Sequence, residues 1–381
     1  MNTLLTEEQR EFAASIRDFC RREVGSREQR DKLTENGRHL HSLELNRRIA
    51  ELGWAAIDVP EEYGGAGGNH VDLCVVLEEL NRGLAPLPGV GTTLITAAIY
   101  RRFAREEMKK AVLARVAEGE ALAISMSEPD AGSDVAALTC RAERTDDGWL
   151  INGQKTWCTN AHFADSILLV ARTSRGEKKH HGLTMFHVPA GTPGLTVKGI
   201  EMMNGAEVND LYFTDCVLPA DAVIGEVGQG WRQLMAGLAT ERLILGAQML
   251  GTAQRAFDDC LAFVSERTQF GQPVGSFQAL KHRIADLATE IECARLLVYS
   301  VAHQADDPAQ AANLSRASSM VKLKATEVAK AVALEGMQMM GGYGYSMEFD
   351  MVSHLKIALA AAIYGGTNEI QRDIIGKSFG L

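Results

Sequence analysis

The chain lacks the features that announce most specialised classes of protein. None of its apolar runs reaches the roughly 18 residues of a membrane-crossing helix. The polar start Met1–Arg10 leads directly into a helical pattern, so no cleaved leader is expected. Positive charge is in deficit: 39 Lys and Arg against 49 Asp and Glu leave a formal charge of −10. That balance gives no electrostatic footprint for nucleic acid or for an anionic membrane. The seven cysteines are scattered, odd in number and without a C-x-x-C pair, which points to reduced, buried thiols in a cytoplasm. The ten histidines form no H-E-x-x-H or comparable spacing, so no metal site is expected. There is no fixed-period repeat and no low-complexity tract. The glycine-rich stretch Pro60–Gly68 follows no strand in a G-x-G-x-x-G register, which argues against a dinucleotide fold. Gly376-Lys377-Ser378 fails as a phosphate loop because Gln371 stands where the first glycine is required.

What remains is an ordinary globular composition, 46% hydrophobic and 23% charged, over 381 residues. That length exceeds one core, so two or three domains are expected. Residues 1–120 read as helical. Thr6 with Gln9 forms a capping box. Helical spacing follows in Phe12, Ile16 and Phe19, then in Leu43–Leu52, Val71–Arg82, Thr92–Phe103 and Met108–Glu118. From Ala121 the period changes. Ala121–Ser127, Trp149–Ile151, Ser166–Ala171, Leu183–Val188 and Leu211–Phe213 read as strands. Asp147-Gly148, Asn152-Gly153, Gly191 and Pro193-Gly194 read as the turns between them. Residues 121–224 are therefore a β-domain, a sandwich or barrel. After Gly228-Gln229-Gly230 the helical period returns, and 225–381, with long helices over Ala285–Ala305 and Leu314–Met340, reads as a helical bundle.

Four places carry chemistry, each with a bland alternative. The run Ser127–Asp134 follows a strand with small and hydroxyl residues, which suits backbone N–H groups facing a polar ligand or simply a surface turn. Gly153–Asn160 holds Trp157 and Thr159, suited to a flat heteroaromatic ring, though a lone Trp more often packs in a core. Glu241 falls on the apolar stripe of Trp231, Leu234, Met235, Leu238, Leu245 and Met249. Desolvation there would raise its pKa towards that of a general base; the alternative is a core ion pair with Arg242. Last, Tyr364-Gly365-Gly366-Thr367-Asn368-Glu369-Ile370-Gln371-Arg372 stops one helix at its glycines and caps another, or is no more than a corner.

These strings resemble, across essentially the full chain, the acyl-CoA dehydrogenase family, flavoenzymes that oxidise acyl-CoA thioesters. The matching stretches are Pro60–Gly65, Ser127–Asp134, Gly153–Asn160, Glu266–Gly271, Gln338–Tyr345 and Tyr364–Arg372. The resemblance implies a mainly α fold: an N-terminal helical domain, a middle β-barrel or sandwich, and a C-terminal four-helix bundle. It implies FAD, with Met126, Ser127, Trp157, Cys158 and Thr159 around the flavin ring and Ser133 near both the ring and the CoA arm. Arg267, Phe270, Phe277, Gln278, Gln338, Met339, Gly341 and Gly342 fall at positions that reach a neighbouring subunit's FAD, so a homo-oligomer, tetramer or dimer, is implied. Thr367 and Glu369 also fall on cofactor contacts, and Arg242 and Tyr364 on substrate contacts.

In most of the family the residue between the Tyr and the Gly-Thr is the glutamate that removes the substrate α-proton. Here it is Gly365. The long-chain and isovaleryl-CoA branches instead carry Glu-Arg on the mid-chain helix, and this chain has Glu241-Arg242. The resemblance thus assigns the base to Glu241, hydride transfer to flavin N5, and thioester polarisation to the backbone N–H of Gly365. Expected partners are an acyl-CoA with a branched, long or bulky acyl group, and an electron-transferring flavoprotein, in lipid β-oxidation. The family's Arg-Asp upstream of the terminal string is replaced by Lys356-Ile357. Alternatives are an oxygen-using flavin oxidase or monooxygenase of the same superfamily, and a non-catalytic FAD-binding subunit.

Overall fold

The structure, a computed structural model, describes residues 4–381. Six helices come first: α1 (Glu7–Glu23), α2 (Arg27–Leu33), α3 (Leu43–Glu51), α4 (His70–Arg82), α5 (Gly89–Phe103) and α6 (Glu106–Ala117). The Thr6–Gln9 capping box opens α1 as expected, and Asn69 with Asp72 forms a second box at α4. Eight strands follow: β1 (Leu122–Ser125), β2 (Arg141–Arg144), β3 (Gly148–Thr159), β4 (Ser166–Arg172), β5 (Leu183–Pro189), β6 (Leu195–Met202), β7 (Gly205–Pro219) and β8 (Val223–Ile224). The C-terminal part holds α7 (Gly230–Glu266), the hairpin β9 (Thr268–Gln269) and β10 (Gln272–Pro273), α8 (Gln278–Asp306), α9 (Ala311–Met340), α10 (Gly342–Tyr345), α11 (Met351–Ala361) and α12 (Asn368–Lys377). The order of helical, β and helical regions is the one the sequence implied.

Contacts gather the chain into two compact units, which cut across that order. One comprises the chain up to Arg30, Asn69–Ala85 and Ala239–Leu381; the other comprises Asp31–Gly68 and Pro86–Leu238.

In the first unit α8 and α9 pack along each other, and α11 and α12 pack on α9. Helix α4 joins them although it lies in the N-terminal third, because a buried polar knot ties it to α8. The Glu78 carboxylate is 2% exposed; it accepts from Tyr299 Oη at 2.6 Å and pairs with Arg295. A buried carboxylate needs such partners, since an unpaired one costs several kcal/mol.

The second unit is built on one sheet in the order β6-β7-β3-β2-β4-β5-β8, with β1 parallel to β4. Residues 167–171 of β4 form an uninterrupted apolar run because both faces of the strand are covered. Ile167, Leu169 and Ala171 join residues of β3, β5 and β7 inside the coiled sheet. Leu168 and Val170 pack instead with Ala97, Tyr100, Leu113 and Val116 of α5 and α6.

Two local expectations change. The strand expected over Trp149–Ile151 is longer: β3 runs from Gly148 to Thr159, paired with β7 and broken by register shifts at Ile151/Gly153 and Lys155/Cys158. Asn152-Gly153 is accordingly no turn. Gly153 has φ +146° and a Cβ there would strike Cys140, so its missing side chain serves strand packing. Six of the seven cysteines are buried and free, and Cys293 is exposed. Among the described residues no helix is long and apolar enough to cross a membrane, and no group of side chains is placed to hold a metal.

Candidate active site

In the first unit, Glu241 lies in the first half of α7, followed by Leu243 and Ile244, both fully buried. Burial pushes its carboxyl up to about 6, against the opposing pull of Arg242 and Lys322. The core ion pair with Arg242 does not form. Arg242, 7% exposed, donates from Nη1 to Ser315 Oγ at 3.3 Å. Among the described residues nothing donates a hydrogen bond to the Glu241 carboxylate. It is a half-buried acid without a hydrogen-bond partner, the condition of a base in waiting.

Opposite stands the glycine turn between α11 and α12. Gly365 has φ +62°, a left-handed conformation that side chains resist. A Cβ built on it would overlap Leu245 Cδ1 and lie 3.5 Å from Glu241 Oε1. Glu241 and Leu245, one turn apart on α7, thus occupy the space a side chain at 365 would claim. Beyond the turn Thr367 caps α12, its Oγ1 accepting from Ile370 N at 3.3 Å. Tyr364 is exposed beside the turn, and Glu369 is exposed on the first turn of α12.

Sequence reasoning missed what holds the turn. Lys322 of α9, fully buried, donates from Nζ to the Gly366 carbonyl at 2.9 Å and to Asn368 Oδ1 at 3.0 Å. Gln371, also fully buried, donates from Nε2 to the carbonyls of Gly365 at 3.1 Å and Gly366 at 3.0 Å. The signal was legible: Lys322 is a lone lysine on the apolar stripe of Val321, Ala325 and Val328, and a lysine is rarely inside without a purpose.

In the second unit the structure brings together two motifs that the sequence treats separately. Thr156 N donates to Ser127 O at 2.9 Å, so β3 runs beside the Met126-Ser127 backbone. Between them Lys155, fully buried, donates to Met126 O at 2.9 Å and to Glu128 Oε1 at 2.8 Å. Glu128 also accepts from the backbone N–H groups of Thr139 and Cys140. Burial raises the Glu128 carboxyl, but Lys155 and those N–H groups bring it below its ordinary value. This lysine is again one that sequence reasoning passed over.

Trp157 is no core residue: at φ +58° and 56% exposed, it presents its ring outward beside partly buried Thr159. Cys158, the residue after Trp157, is buried. Alternation turns its thiol inward, towards Ile124 O at 3.4 Å, while Asn209 Nδ2 holds its carbonyl at 2.9 Å. Met126 and Ser127 are partly exposed, and Ser133 is exposed.

A second cluster of the first unit gathers at the α7–α8 hairpin. The Arg267 guanidinium lies over the Tyr343 ring at 5.5 Å. Phe270, 94% exposed at φ +52°, meets the Phe277 ring edge-on at 6.2 Å, and Gln278 opens α8. Gln338 and Met339 lie in the last turn of α9, Gly341 ends it and Gly342 opens α10, with Gln338 and both glycines exposed.

Helical, β and helical regions in this order frame a half-buried carboxylate that faces a glycine turn, and comparison with known proteins gives the class, an oxidoreductase. Three family models match: "Acyl-CoA dehydrogenase, N-terminal domain" over 6–120, the middle domain over 123–216 and the C-terminal domain over 228–380. An isovaleryl-CoA dehydrogenase of Solanum tuberosum mitochondria is 33% identical over 98% of this chain and 91% of its own length. A probable acyl-CoA dehydrogenase of Mycobacterium tuberculosis is 34% identical over 98% of this chain and 96% of its own. Among solved structures, an acyl-CoA dehydrogenase from Geobacillus kaustophilus superposes with TM-score 0.91 at 32% identity, covering 99% of both chains. A butyryl-CoA dehydrogenase from Megasphaera elsdenii gives 0.90 at 31% identity over 100% of both. The chain belongs to the acyl-CoA dehydrogenase family.

Proposed function

We propose that this protein oxidises an acyl-CoA thioester to the trans-2-enoyl-CoA, with Glu241 as the base. The observation that carries this is the unpartnered Glu241 carboxylate, 3.5 Å from the position a Cβ on Gly365 would take. The cofactor is FAD, as in the glutaryl-CoA dehydrogenase from Mycobacterium smegmatis solved in complex with FADH2, to which this fold is similar with TM-score 0.89 at 26% identity. The residues suit it: an outward Trp157 ring with the Met126-Ser127 backbone for a flat ring system, and exposed Arg267 with open glycine backbone for phosphates. When bound, the flavin supplies the acceptor for the hydride lost from the substrate β-carbon.

The chain's own part is proton removal and charge stabilisation. Glu241 takes the α-proton. Its pKa near 6 keeps it ionised at neutral pH yet basic enough to accept. As the proton leaves, negative charge grows on the thioester oxygen, and the Gly365 N–H is the donor placed for it. Among the described residues no acceptor engages that N–H, whereas the carbonyls of Gly365 and Gly366 are both tied back. A glutamate absent from 365 therefore removes a base without removing the donor. Arg242 and Tyr364 are the chain's candidates for positioning the thioester.

A branched, long or bulky acyl group is the favoured substrate, a reading supported by the similarity to the isovaleryl-CoA dehydrogenase of Solanum tuberosum. An electron-transferring flavoprotein is the proposed acceptor, and the exposed Arg267, Phe270 and Tyr343 cluster fits a homo-oligomer with shared sites. The test is a panel of straight, branched and cyclic acyl-CoA thioesters, scored by anaerobic flavin bleaching and by hydrogen peroxide release in air. Rapid bleaching by a branched thioester with little peroxide is the expected result. Peroxide matching substrate consumption would make the protein an oxidase.

A further inference from the structure

A lysine of α9 reaches the active turn without touching solvent. Lys322 is 0% exposed, and its ammonium makes two charge-assisted hydrogen bonds, to the Gly366 carbonyl and to Asn368 Oδ1. Thr326 Oγ1 lies 3.0 Å from the same Asn368 oxygen, which fixes that side chain. We propose that Lys322 is the positioning residue of the Gly365 oxyanion donor: it pulls the Gly366 carbonyl back into α9, fixes the turn, and so aims the Gly365 N–H at the thioester oxygen. The inference rests on the proposed roles of Glu241 and Gly365.

Three features separate this from a lysine that is merely buried and satisfied. Its partners are the turn itself and the first residue of α12; no carboxylate pairs with it. A buried cation with no carboxylate in direct contact is costly, so its two hydrogen bonds to the turn and to Asn368 are what hold it there. The same turn is gripped from the other side by Gln371 Nε2, so both glycine carbonyls are held while their N–H groups are left to the site. Finally, the cation acts on the base. The charged groups facing it are Glu241 and Arg242 of α7 and Glu369 of α12. Burial draws its pKa down to about 8, the two glutamates hold it up, and it remains protonated at neutral pH. Its charge in turn restrains the rise of the Glu241 pKa.

The test compares holoenzyme of wild type with Lys322→Met and Lys322→Gln. Difference infrared spectroscopy of a bound enoyl-CoA reads the thioester carbonyl stretch directly, without turnover. Wild type should lower that stretch, and Lys322→Met should lose a clear part of the shift. The rate of anaerobic bleaching should fall by about tenfold or more, with KM changed by less, and the acid limb of the pH profile should move upward in both variants. Lys322→Gln keeps an N–H donor and should recover part of the carbonyl shift but not the limb. An unchanged stretch and limb in a folded, FAD-loaded Lys322→Met would overturn the proposal. So would loss of fold or flavin in both variants, which would make the lysine structural. If wild type itself fails to bleach with any thioester, the dehydrogenase reading fails; if wild type bleaches and the variants match it, only the lysine's role does.

Discussion

Glu241 Oε1 lies 3.5 Å from the point where Gly365 would carry a Cβ, and that one spacing links the middle of the chain to its terminal turn. The carboxylate on α7 stands at the door of the volume that a side chain at 365 would enter. Leu245, one turn later on the same helix, closes the rest. A glutamate moved from one wall to the other would therefore reach a similar region from a different backbone.

The exchange is not symmetric. Restoring a side chain at 365 meets a left-handed backbone, worth about 1–2 kcal/mol of strain, and the methyl of Leu245. The double variant Glu241→Gly with Gly365→Glu should therefore recover little activity. Adding Leu245→Ala should raise its bleaching rate with a straight-chain thioester several-fold, at a stability cost of about 2–5 kcal/mol for a buried leucine. Rate and melting temperature on the same preparations check this; a triple variant no better than the double would separate Leu245 from the problem.

The raised Glu241 pKa has consequences for activity and for stability. The base must be ionised, so kcat/KM should rise through an acid limb near the folded value of about 6. For stability the sign is opposite. The folded pKa lies above the unfolded one, so the native state binds the proton more tightly. Stability present below the unfolded pKa of about 4.5 is lost as pH rises through about 6. Glu241→Gln should then be more stable than wild type at pH 7, by about 1–2 kcal/mol, with the gap closing below pH ~4.5. Melting curves of the two proteins from pH 4 to 8 measure it, and a constant gap would refute the desolvation account.

Lys155 should matter twice. Removing one partner of a buried pair leaves the other uncompensated, which costs about 3–5 kcal/mol. Lys155→Met should lower the melting temperature and, by freeing the Met126 carbonyl, weaken FAD retention. The double variant with Glu128→Gln should regain stability without regaining flavin. Recovery of both together would reduce the pair to a stability element.

The sequence made some of this legible and hid the rest for physical reasons. Capping at Thr6, the alternating strands and the stripe through Glu241 are local patterns, and each stands where its period puts it. Trp157 looked as much like core as like a ligand platform, because only the register shift at Lys155/Cys158 decides which way it faces. The same alternation sent Cys158 inward. The grouping of α4 with the C-terminal bundle rests on Glu78, Arg295 and Tyr299, far apart in the chain, and no window of sequence displays it. Gln371 is hidden for the same reason: its partners are backbone carbonyl oxygens of a turn, which carry no residue identity, whereas Lys322 shows in the sequence as a lysine on an apolar stripe but its partners do not.

The central claim is that the base is Glu241. Its most direct measurement is single-turnover anaerobic bleaching by the best thioester, wild type against Glu241→Gln. The account predicts a rate lower by roughly 10²–10⁴, with FAD content unchanged. A rate within a few-fold of wild type would place the proton acceptor on another residue.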